Sequence, residues 1–162
     1  MNVIKARLLW LRRVPVVAAC TLGLFIITAP AYADGVIDAT SDGIAIEGYD
    51  PVAYFTMGKP VKGTEQLAHE WLDVTWHFAS AKHRDMFAAD PITYAPQHGG
   101  YCSVSVLKGG KAYADPTAWR IADGRLYLFF DELTASDYWH PKWPAVARTD
   151  ENWQKTLADL LQ

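Results

Sequence analysis

The residue types able to do chemistry crowd into one stretch, Pro96-Gln97-His98-Gly99-Gly100-Tyr101-Cys102. A thiolate is a nucleophile and a soft-metal ligand, and a nearby imidazole can bind the same ion or take the thiol proton. Gly99 and Gly100 carry no side chain, so a ligand or another stretch of backbone can come close between His98 and Cys102. If the glycines open a helix containing Cys102, free amides at its start favour the thiolate. The competing account makes Cys102 a small buried hydrophobe and His98 a solvated loop residue. Both accounts stand at the level of the sequence.

What makes Cys102 unusual is that it has no partner. The other cysteine, Cys20, lies in an N-terminal segment where Lys5, Arg7, Arg12 and Arg13 precede an apolar run from Val14 to Thr28, followed by Ala31-Tyr32-Ala33. That layout is a secretory signal peptide cleaved after Ala33, and its apolar run is shorter than the roughly 20 residues a membrane span needs. The expected product is periplasmic or secreted, without a stable membrane anchor and without an internal disulfide. Residues 34–162 are long enough for one domain with a real core. Four of the 15 basic residues leave with the leader, so 11 remain against 18 acidic residues, a formal charge of −7. A chain this acidic lacks the basic face that nucleic-acid binding requires.

The elements that must position this stretch are short. After a loose polar lead-in, Gly43 to Ile46 reads as a strand, and Asp50-Pro51 caps a helix from Val52 to Thr56. Leu67, His69 and Trp71, then Val74, Trp76 and Phe78, alternate as in a hairpin. Ser80 caps a helix from Ala81 to about Ala89 that Asp90-Pro91 stops, with one more turn from Pro91 to Tyr94. Gly100 to Leu107 fits helical or strand spacing; helix is favoured, ended by Gly109-Gly110. Asp123-Gly124 marks a second hairpin between Trp119-Arg120-Ile121 and Leu126 to Phe130. A last helix from about Thr149 presents Trp153, Leu157, Leu160 and Leu161 on one face. The expected fold is α+β: one compact domain of short strands and hairpins packed with short helices and a C-terminal helix. Six tryptophans outside the leader point to stability from aromatic burial, and Trp139-His140-Pro141-Lys142-Trp143-Pro144 reads as a lid or interaction patch.

The remaining polar residues are expected in structural roles. Asp50 and Asp115 read as cap and turn former, His77 as the polar face of a strand, His69 and His140 as surface residues, and His83 as the solvated side of a helix. No phosphate-cradling loop, Gly-x-Ser-x-Gly turn or His-Glu-x-x-His helix is present, so the residues identify no enzyme class.

Gly48-Tyr49-Asp50-Pro51-Val52-Ala53-Tyr54-Phe55, Phe78-Ala79-Ser80, Phe87-Ala88-Ala89-Asp90-Pro91 with Tyr94, Ala95-Pro96, Gly99-Gly100-Tyr101-Cys102 and Gly124-Arg125-Leu126-Tyr127-Leu128 occur in that order. With this set of segments, residues 34–162 resemble the exported, stand-alone YHS-domain proteins. Related short YHS modules on copper and heavy-metal pumps carry cysteines that look like soft-metal ligands, and the resemblance places those positions at Ala53, Ala79 and His83. Alanine offers no donor, so that thiolate cage is absent here. The resemblance also places Cys102 in a Gly-Gly-Tyr-Cys motif where some members are described as candidate selenoproteins, which implies an atom that reacts or ligates. Three functions follow, in this order of expectation. The first is handling of copper or another soft metal by Cys102, His98 and His83, with Gly99, Gly100 and Tyr101 shaping the site. The second is thiol redox or sulfur chemistry at Cys102, recycled by a partner thiol. The third is a non-catalytic module binding a ligand or a periplasmic partner protein.

Overall fold

A computed structural model describes residues 35–139 and 150–162. The expected leader with Cys20, and the patch beyond Trp139 with His140, lie outside the described residues. The fold is α+β. Helix α1 (Pro51–Met57) starts where Asp50 accepts hydrogen bonds from the amides of Val52 and Ala53, with Pro51 at the first helical position and Gly58 ending the helix. Such a cap contributes about 1 kcal/mol. Strands β1 (Thr64–Trp71) and β2 (Val74–Phe78) form an antiparallel hairpin. Leu72 and Asp73 turn it in left-handed conformations that suit the twist of the strands.

Helix α2 (Ala81–Ala89) is capped by Ser80, and α3 (Pro91–Tyr94) follows at Asp90-Pro91. A tight turn over Gln97–Gly100 leads into α4 (Ser103–Leu107), so helix prevails over strand in this segment. Strands β3 (Asp115–Ala122) and β4 (Arg125–Phe129) form the second hairpin, turned at Asp123-Gly124. Helix α5 (Glu132–Trp139) follows, and α6 (Asp150–Leu160) closes the described chain. Among the described residues no helix is long and apolar enough to cross a membrane.

Each hairpin is its own two-stranded sheet, so neither can bury both faces alone; helices and aromatic rings complete the core. Phe87 of α2 is central, with ring centroids 4.9 Å from Trp76, 5.2 Å from Phe78 and 5.7 Å from Trp71. The Tyr54 hydroxyl joins α1 to β3 by donating to the Pro116 carbonyl at 2.8 Å. On α6, Trp153 and Leu157 are buried as expected, but Leu161 is exposed because the helix has ended before it.

Three expectations are corrected. The lead-in is not loose: Ile37 and Asp38 are buried, and the Asp38 amide donates to the Gly99 carbonyl at 2.7 Å. Only isolated bridges, Ala39 to Ala45 and Ile44 to Thr75, form where a strand over Gly43 to Ile46 was expected, because the chain turns at Ile46–Gly48. His83 is not solvated but buried.

Candidate functional site

Gly99 and Gly100 do admit a close neighbour, and that neighbour is the chain itself. A Cβ at Gly99 would lie 1.9 Å from the Val36 carbonyl oxygen, and one at Gly100 would lie 2.8 Å from the Ile46 side chain. Both have positive φ, as does His98 at 59°. This left-handed run turns the backbone so that His98 points inward, and Cys102 follows it, also buried. The glycines do not open the helix; α4 starts at Ser103, with Cys102 as the cap residue whose carbonyl accepts from the Val106 amide at 3.1 Å. The Cys102 side chain makes no capping hydrogen bond.

Both ring nitrogens of His98 face polar groups. Nδ1 lies 3.2 Å from Ser103 Oγ, and Nε2 lies 3.2 Å from Asp150 Oδ1 at the start of α6. The second contact has ion-pair distance without hydrogen-bond alignment, since Oδ1 has no aligned donor. Asp150 Oδ2 accepts from the Tyr127 hydroxyl and, at 3.0 Å, from the Arg125 guanidinium. Burial pushes the Asp150 carboxyl up, but His98, the Tyr127 hydroxyl and Arg125 outweigh it and hold the group below the usual carboxylate range. Burial and the neighbouring Asp150 push the Tyr127 phenol up.

Ser103, His98 and Asp150 have the residue types of a hydrolytic triad, but Ser103 is 0% exposed and lines neither cavity described below. A nucleophile must reach its substrate; this trio instead ties α4, the Gln97–Gly100 turn and α6 together.

His83 is committed in the same way elsewhere. Its Nδ1 lies 2.6 Å from Asp50 Oδ2, and its Nε2 lies 3.1 Å from Thr56 Oγ1. Asp50 is fully buried and also accepts from the Ala79 amide at 2.9 Å, so one carboxylate caps α1 and anchors α2. The structure does not bring Cys102, His98 and His83 together: among the described residues no three His, Cys, Asp or Glu side chains are grouped to hold a metal ion. Tyr101 is buried, and its hydroxyl donates to the Gly35 carbonyl at 3.0 Å.

No family model matches the chain, and no curated protein or solved structure matches it. The site therefore rests on its own geometry. Cys102 is 3% exposed yet lines an open cleft of about 310 Å3. Val104 and Phe130 supply apolar wall, Ser105 and Thr134 hydroxyls, and Lys108 a cation at the rim. Ser105 Oγ is already engaged by the Ala112 amide at 2.9 Å. The residue pattern around Cys102 does not disclose Asp150 as a partner of His98, nor Tyr127 and Arg125 as partners of Asp150. The only available signal was an acidic residue at the start of the last helix, where Asp favours the exposed amides.

Proposed function

We propose that this chain is an exported YHS-like binding module whose ligand cleft is floored by the Cys102 thiol. One observation carries the reading: Cys102, although buried, lines an open cleft while both ring nitrogens of His98 and of His83 face protein groups. A small, largely apolar ligand fits walls made by Val104 and Phe130, with the sulfur as a soft, polarizable contact and Lys108 placed for an anionic tail. Soft-metal handling is the narrower second reading, favoured by the same free thiol. It would need Cys102 plus a ligand from outside the described site, because copper(I) prefers sulfur and imidazole donors.

The test uses methyl methanethiolsulfonate, an apolar fluorescent sulfonate probe and copper(I) on the purified reduced protein and on Cys102→Ser. The module reading expects the reagent to modify Cys102 in the native fold and block the probe. It also expects copper(I) affinity to differ by less than about tenfold, or ~1.4 kcal/mol, between the two proteins. Modification only after unfolding refutes the cleft; a copper(I) affinity loss above about 100-fold in the serine variant transfers the function to soft-metal handling.

A further inference from the structure

A second cavity, of about 200 Å3 and more enclosed than the cleft at Cys102, is lined by Asp38, Thr40, Ile46, Glu47, Tyr113 and Leu128 among others. Its floor holds an unfinished polar group. Asp38 is 7% exposed, and its Oδ2 accepts one hydrogen bond, from the Ala114 amide at 3.2 Å. No donor among the described residues reaches Oδ1, and that atom is not sealed in packing, so solvent in the cavity reaches it. Burial pushes the Asp38 carboxyl up to about 6, the Ala114 amide opposing and Glu47 adding to the rise.

The surrounding charges show what would complete the site. Glu47 is held over the cavity by a turn in which Ile46 and Glu47 both have positive φ, 41° and 52°. Lys62 offsets part of the Glu47 charge, with Nζ 4.0 Å from Oε2, but makes no bond to Asp38. Two acidic residues, Asp38 and Glu47, therefore line one cavity, and Lys62, which pairs with Glu47, is not among its lining residues. A hard divalent ion takes six to eight oxygens in a small cage. The space here would hold about six or seven waters at ~30 Å3 each, and apolar side chains form part of its wall.

We propose that this cavity binds a small primary ammonium carrying a short alkyl chain, its head donating to Asp38 Oδ1 and its tail lying against Ile46 and Leu128. The site is separate from the Cys102 cleft, and its test does not depend on that reading.

The experiment is an NMR titration of the purified protein with n-propylammonium chloride, with 1-propanol as the neutral isostere, up to about 50 mM at pH 7.5. Saturable shifts are expected at residues 38–47 and 113–116, with propanol at least about tenfold weaker. Asp38→Asn keeps the acceptor for Ala114 and should weaken propylammonium about tenfold or more; Glu47→Gln, on an exposed side chain, should weaken it about two- to threefold. Retained chemical-shift dispersion in both variants establishes that the fold is intact; if Asp38→Asn unfolds, the Glu47→Gln result and the propanol comparison decide. No saturable shift, equal binding of propanol, or unchanged affinity in Asp38→Asn overturns the proposal. So does calcium chloride producing the same shifts at lower concentration, which would assign the cavity to a hard cation.

Discussion

Asp38→Asn separates the cost of a buried charge from the benefit of a hydrogen bond. The carboxyl rises from 3.8 to about 6 in the folded protein, with burial the largest cause. That difference corresponds to about 3 kcal/mol favouring the protonated form. A raised carboxylate gives its full relative stability below the unfolded value of 3.8 and loses it as pH climbs through about 6. At pH 7 the ionised group therefore costs up to about 3 kcal/mol, reduced to ~1–3 kcal/mol by solvent in the cavity. Asparagine retains an acceptor for the Ala114 amide and carries no charge. The variant should be more stable than the parent by that amount at pH 7, raising Tm by roughly 3–10 °C. Urea unfolding of both proteins between pH 3.5 and 8 measures it, since taking the difference removes other titrating groups (window set by the two values above). The gap should close near pH 3.8 and level off above about 6. A variant less stable at pH 7, or a gap independent of pH, would refute the claim that Asp38 is strained by burial.

Asp150→Asn should destabilise by about 2–4 kcal/mol at pH 7 in urea unfolding, because Arg125 loses its counter-charge and the His98 ring and Tyr127 hydroxyl lose a carboxylate partner. Its depressed folded value makes that loss fully present above the ordinary 3.8 and fading as pH falls through and below it. Gly99→Ala should cost about 3 kcal/mol or more, since φ is +69° and the new methyl meets the Val36 carbonyl; thermal melting reads the loss. His83→Ala should cost about 2–4 kcal/mol by removing a donor from the buried Asp50, with no change in copper(I) affinity if His83 is structural.

Local signals reported much of the fold because their causes are local. Asp50-Pro51, Ser80 and Asp123-Gly124 each dictate their backbone through neighbours a few residues away, and the structure places α1, α2 and the second hairpin there. The alternation around Trp76 and Phe78 likewise fixed which face is buried. Helix α5 leaves little trace in the sequence: Asp131 caps it by accepting from the Thr134 amide at 2.7 Å, but its apolar residues form no strong stripe. The burial of two histidines is not legible for another reason. Burial of His83 and His98 depends on Asp50, 33 residues away, and on Asp150, 52 residues on, and no spacing rule reports such pairings. Glycine spacing showed that something must approach residues 99 and 100, but its identity, the backbone at Val36, is a tertiary fact.

The left-handed turn at His98 and Gly99 has a bearing on how the chain is made. Its lock draws on Asp38 from one end of the described sequence and Asp150 from the other. Such distant closures are slow to form, because the entropy lost in joining remote segments precedes the contacts that reward it. A growing polypeptide therefore stays unlatched at this turn until Asp150, at the start of α6, has been synthesised.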